Sequence, residues 1–123
     1  MYQVSVEQDF DAAHFLRGYR GKCESLHGHR FRVVATVEAT ALDEIGLAYD
    51  FTELKQHVRE ILSRFDHTCL NDNPPFDEMN PSSENIAANI YQKLTVRLEG
   101  APAKLTTIEV WESPHNRVVY RPD

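Results

Sequence analysis

Two stretches of strict alternation constrain this chain more than any other feature. In "YQVSVEQDF" the residues Tyr2, Val4, Val6 and Phe10 fall on one face of a period-two pattern, and in "HRFRVVATVEA" Phe31, Val33, Ala35 and Val37 do the same. That period belongs to half-buried strands, because successive side chains of a strand point to opposite faces. The second stretch is also rich in β-branched residues, which favour a pleated surface. "LRGYRGK" lies between the two, broken by its glycines, so residues 2–40 are predicted to form an antiparallel pair.

The period then changes. In "YDFTELKQHVREILSRFDH", Asp50 stands at a cap position with Glu53 three residues on, and Leu54, Val58, Ile61, Leu62 and Phe65 recur at helical spacing. A helix of roughly 13 residues is predicted, ending just before Asp66 and His67. "NDNPPFDEMNPSS" is dense in Asn, Pro and Ser and reads as a loop. After it, "SENIAANIYQKLTVRLEG" aligns Ile86, Ile90, Leu94 and Leu98 and stops at Gly100, a second helix. "KLTTIEVWES" and "RVVYR" alternate again as two closing strands around the turn "SPHN". The order strand, strand, helix, helix, strand, strand predicts an α+β sandwich: a four-stranded antiparallel sheet with both helices on one face. Such a sheet has two open edges, and pairing between subunits is one way to cover them.

With 123 residues the chain has the size of one domain, spanning 1–123, and can bury its own core. Hydrophobic residues at 41% and charged residues at 26% place it among globular rather than disordered chains. No apolar run approaches a bilayer span, and the N-terminus lacks a basic segment followed by an apolar one, so no membrane association is predicted and the cytoplasm is the expected compartment. Cys23 and Cys69 are read as free thiols, because a secreted scaffold of this size would carry more cysteines. The net charge of −6 gives no general attraction for nucleic acid. Arg17, Arg20, Lys22, Arg30 and Arg32 nonetheless cluster, with Glu24 the one acid between Arg17 and Arg32. This local excess is either a solvated loop or a receptor for a small anionic ligand.

"CESLHGH" crowds a thiol, a carboxylate and two imidazoles into the entry of the second strand. His27 and His29, two apart on a strand, point to one face and can bind one ion. An antiparallel hairpin could return His14 to the same place; the alternative is a core or rim histidine satisfied by a backbone carbonyl. Three neutral imidazoles with a fourth position open match a catalytic rather than a structural zinc site. Cys23, four residues before His27, would there lose its proton readily enough to act as base or nucleophile, unless it is an inert thiol. Asp66 beside His67 can orient the imidazole for proton transfer, if the two side chains face each other. Glu112, ending the third strand, is either a surface glutamate or a carboxylate able to take two hydrogen bonds from a planar, amidine-like heterocycle.

"FDAAHFL", "CESLHGH", "YDFTELK", "FDHTCLND", "NPSSENIA" and "VWES", in this order over nearly the whole chain, resemble the 6-pyruvoyltetrahydropterin synthase and 6-carboxytetrahydropterin synthase family. The resemblance implies the tunnelling fold, or T-fold, in which subunits join their sheets into a barrel, and a homohexamer of two trimers with sites at subunit interfaces. It implies Zn2+ held by His14, His27 and His29, Cys23 as general base, Asp66 and His67 as a proton-relay pair and Glu112 as anchor of the pterin ring. The implied substrate is 7,8-dihydroneopterin triphosphate, with the basic cluster a candidate for its triphosphate.

Three residues separate Cys23 from the His-Gly-His of this chain, which resembles the bacterial 6-carboxy enzymes of queuosine biosynthesis; the 6-pyruvoyl type has five. That reaction releases acetaldehyde and triphosphate, a carbon–carbon lyase step. Cys23 and Glu24 side by side also resemble a mixed branch in which Glu24 acts as a second base and favours 6-hydroxymethyl-7,8-dihydropterin; otherwise Glu24 is a solvent-facing loop residue. A zinc- or pterin-binding module that keeps the fold without activity is the reading from another class.

Overall fold

The alternating stretches pair over a longer run than their pattern predicts. β1 (Tyr2–His14) and β2 (His27–Ala39) lie antiparallel in one unbroken register from Tyr2 opposite Ala39 to His14 opposite His27. The structure, a computed structural model, describes residues 1–21 and 24–123. Val6, Phe10 and Ala12 of β1 and Phe31, Val33, Ala35 and Val37 of β2 are buried on one face, whereas Tyr2, grouped with them by the pattern, is half-exposed at the strand's end.

α1 (Phe51–Leu62) starts at Asp50, whose carboxylate accepts from the Thr52 amide at 2.8 Å, and Glu53 places negative charge in the first turn. Leu54, Val58, Ile61 and Leu62 form its buried stripe. The helix stops at Leu62, short of the predicted end, because the Phe65 and Asp66 amides turn back to the Leu62 carbonyl at 2.9 and 3.0 Å. Phe65 still reaches the core from this turn, which is why its spacing reads as helical.

The chain then makes a contact that no periodicity announces. β3 (Thr68–Cys69) pairs parallel with Ala12 and Ala13 of β1, so the sheet has five strands in the order β3-β1-β2-β4-β5, not the predicted four. A strand of two residues is too short to show alternation and is set by tertiary pairing alone. α2 (Ser83–Arg97) is capped by Ser82, whose hydroxyl accepts from the Asn85 amide at 3.1 Å. Gly100, at φ 79, turns the chain back toward the sheet in a conformation that favours glycine. β4 (Lys104–Ser113) and β5 (Asn116–Tyr120) close the sheet antiparallel to β2 and to each other.

Ile86, Ala87, Ile90 and Leu94 of α2 join the α1 stripe and the sheet in one core with Ile108 and Val110 of β4, so both helices cover the same face. The result is the α+β arrangement the element order predicts. Among the described residues, no helix is long and apolar enough to cross a membrane. Two substitutions test this account in urea unfolding. Asp50→Ala removes the cap and lowers stability by about 1 kcal/mol. Ile90→Ala, in the fully buried centre, lowers it by about 2–5 kcal/mol.

Candidate functional site

The hairpin register brings the histidines together. His14 stands directly opposite His27, and His29 follows two residues on along the same face of β2. The ring centroids lie 4.6 Å apart for His14 and His27, 4.8 Å for His27 and His29 and 5.3 Å for His14 and His29. Glu112 enters from β4, where Trp111 is the partner of Arg32. The four residues offer ligand atoms all within 4.8 Å of one another.

Backbone carbonyls set the tautomers. His14 Nδ1 lies 2.8 Å from the Pro81 carbonyl and His27 Nδ1 lies 2.6 Å from the Ser25 carbonyl. A carbonyl only accepts, so each Nδ1 carries the proton and each Nε2 keeps its lone pair. His14 is 1% exposed, and Nε2 of both His14 and His29 is buried without a hydrogen bond among the described residues. Glu112 Oε1 lies 3.1 and 3.3 Å from these atoms, off hydrogen-bonding geometry. Burial pushes the His29 pKa down, against the raising effect of Glu112. The Glu112 carboxyl is held below the usual range, first by His14 and then by the other imidazoles, against the cost of its own burial. Phe31 closes the floor, edge-on to His14 at 5.4 Å and to His29 at 5.5 Å.

Imidazole nitrogens without hydrogen-bond partners among the described residues, gathered with a carboxylate within 4.8 Å, are a donor set that fits a divalent cation. The structure therefore brings His14, His27 and His29 together. It also puts Glu112 among them, where the sequence placed it apart as an anchor.

Asp66 and His67 form a second group, with Asp11 and separate from the histidines. His67 Nδ1 lies 3.1 Å from Asp66 Oδ1, so the two side chains do face each other. The Asp11 amide donates to the same oxygen at 2.9 Å and, ahead of His67, holds the Asp66 carboxyl below its usual range. His67 itself is 78% exposed and has φ 60, an uncommon conformation for a side-chain-bearing residue. One open recess of about 420 Å3 is lined by both His29 and His67, together with Asp11, Gly28, Arg30 and Thr68.

Cys23 and Lys22 lie outside the described residues. Glu24 is exposed and belongs to neither group. Three members of the basic cluster have partners within the chain. Arg17 donates to the carbonyls of Phe76 and Met79 at 3.0 and 3.3 Å, Arg30 pairs with Asp11, and Arg32 lies over the Trp111 ring at 4.4 Å. Arg30 and Arg32 occupy the alternate positions of β2, on the face away from the imidazoles.

Sequence reasoning missed what holds the site. Asn71 accepts from the Phe15 amide at 3.0 Å and donates to its carbonyl at 3.1 Å; Asn80 does the same for Arg17 at 2.8 and 2.9 Å. Both asparagines sit in stretches whose only local signal is that of a loop, and nothing there announces a clamp on distant backbone.

Residues 3–123 match the family described as 6-pyruvoyl tetrahydropterin synthase. The chain is 33% identical to the 6-carboxy-5,6,7,8-tetrahydropterin synthase of Bacillus subtilis, covering 98% of this chain and 86% of that one. It is 37% identical to the enzyme of the same name from Synechocystis, covering 92% and 88%. The solved Caenorhabditis elegans 6-pyruvoyl tetrahydropterin synthase superposes with a TM-score of 0.82 at 27% identity, covering 100% of this chain and 98% of that one. The Plasmodium falciparum protein of that name shares the fold, with a TM-score of 0.77 at 24% identity over 98% and 97%. The architecture is that of the tunnelling fold.

The geometry around Asp66 has a titration signature. A carboxyl whose folded-state pKa is lowered contributes stability in full above its unfolded value, and loses it as pH falls through the folded value. In a carboxyl-carbon NMR titration Asp66 is expected to titrate below the ordinary aspartate range, and Asp66→Asn to remove that part of the acid dependence of unfolding.

Proposed function

The chain belongs to the 6-pyruvoyl tetrahydropterin synthase family, and we propose that within it the protein is a zinc-dependent 6-carboxy-5,6,7,8-tetrahydropterin synthase. It converts 7,8-dihydroneopterin triphosphate to 6-carboxytetrahydropterin, with release of acetaldehyde and triphosphate, in queuosine biosynthesis. The observation that carries the reading is the convergence of three imidazoles, two of which, His14 and His27, have Nε2 left free by the carbonyls of Pro81 and Ser25. The names of the curated relatives support the 6-carboxy branch, as does the three-residue gap between Cys23 and His27.

His14, His27 and His29 would hold the zinc, which when bound supplies Lewis acidity toward the side-chain hydroxyls of the substrate. Cys23 removes a proton from carbon. Asp66 orients His67, and His67 passes protons as the side chain rearranges. Glu112 anchors the pterin by accepting two hydrogen bonds from its amidine-like edge. Glu24, beside Cys23, favours the 6-hydroxymethyl product if it acts as a second base. The chain works as one domain, in the cytoplasm, within a homohexamer of two trimers. Sheets joined between subunits into a barrel would cover the edges that β3 and β5 leave open.

Zinc-loaded protein incubated with 7,8-dihydroneopterin triphosphate, with products identified by mass spectrometry, tests this directly. The 6-carboxy product is expected; no turnover would leave only a binding module. Cys23→Ala is expected to lower turnover by about 10²–10⁴-fold, the contribution typical of a positioned acid or base. If Glu24→Ala leaves the product distribution unchanged, Glu24 has no part in product choice. Zinc affinity should fall as the solution is acidified, because protons then compete with the metal for the imidazoles. His29, whose pKa burial lowers, should protonate below the ordinary imidazole range.

A further inference from the structure

We propose that the Arg30–Asp11 ion pair is a positioning device for Asp66 and His67, a role that rests on the reading of those two as the proton-relay pair. Asp11 touches both. Its amide donates to Asp66 Oδ1 at 2.9 Å, and its carbonyl accepts from the His67 amide at 2.6 Å. His67 is thereby held at φ 60, where the chain gains nothing from local preference. The carboxylate of Asp66 is fixed between a strand amide and an imidazole.

This arrangement sets two carboxylates close together. Side-chain atoms of Asp11, Asp66 and His67 all lie within 4.8 Å of one another, so the acids repel. Arg30 answers that repulsion from the opposite strand. It stands directly across from Asp11 in the hairpin register, and its Nε and Nη2 reach the two carboxylate oxygens at 3.1 and 3.2 Å. Two parallel bonds from a planar guanidinium fix direction as well as distance, which an ammonium does not. The charges of Asp9 and Asp66 also act on Arg30, so one cation serves three acids.

The pair is exposed, at 70% for Arg30 and 41% for Asp11. An ion pair this open to solvent contributes little to folding. Its consequence is local: it keeps the Asp11 carboxylate turned to Arg30, so that Asp66 is free to orient His67. Arg30 also borders the recess that His67 lines.

Steady-state kinetics on the zinc-loaded protein with 7,8-dihydroneopterin triphosphate test this, using Arg30→Gln, Arg30→Lys, His67→Ala and the double variant Arg30→Gln/His67→Ala. Arg30→Gln is expected to lower kcat about 10- to 100-fold, the loss typical when an orienting partner is removed. KM should stay within about twofold, with zinc content and Tm unchanged. Arg30→Lys, keeping charge without the fork, should recover part of kcat. The double variant should be no slower than His67→Ala alone, because both act through one group. An unchanged kcat in Arg30→Gln beside an inactive His67→Ala would overturn the positioning role alone. So would multiplied losses in the double variant, or a rise confined to KM. Full activity in His67→Ala would remove the relay reading and this inference with it. If Arg30→Gln lowers Tm, the same cycle on Arg30→Lys decides by the same criteria.

Discussion

The single register in which β1 pairs with β2 fixes both which side chains enter the core and which imidazoles meet. His14, His27 and His29 occupy positions of the same parity as Phe10, Phe31 and Val33, so the donors of the candidate metal centre continue the buried face of the sheet. A slip of one residue would turn the whole set of one strand to the opposite face. Burial of the large side chains opposes such a slip, and the geometry of the histidines is thereby stabilised by core residues of both strands. Stacking of Phe10 on Phe31 at 4.9 Å is part of that restraint.

Register alone does not orient a ring. Orientation comes from irregular backbone that the core holds still. The carbonyls of Pro81 and Ser25 choose the tautomers, and Asn71 and Asn80 hold residues 15 and 17 as an extra strand would. Long-range hydrogen bonds thus give loop segments the fixed geometry that a proton-transfer or metal site needs. The Asp66–His67 pair is built in the same way, with a strand amide and a strand carbonyl as its supports.

What could be read in the sequence follows from physics that is local. Alternation gave β1, β2, β4 and β5, and capping with helical spacing gave α1 and α2, because each of these patterns repeats several times within its element. The histidine cluster was legible as far as a hairpin could be inferred. β3 was not, since two residues carry no period. Glu112 could be placed at the end of a strand but not beside His14, because its neighbours depend on how β4 aligns against β2. Of the basic residues around "CESLHGH", Arg17 goes to loop carbonyls while Arg30 and Arg32 share the face of β2 away from the imidazoles, a division that a one-dimensional cluster does not show.

Strand parity gives β2 two faces. Its odd positions present donors and core, while Arg30 and Arg32 at even positions present charge to the other side. Exchange of a residue on the charged side can change what that surface meets while leaving the imidazoles where they are. Insertion or deletion of a single residue between 29 and 37 would break both surfaces at once. Over the divergence of such chains, β2 should therefore tolerate substitution at its half-exposed even positions, Arg32 and Glu38, far more readily than at the buried Val34 and Thr36 or any change in its length.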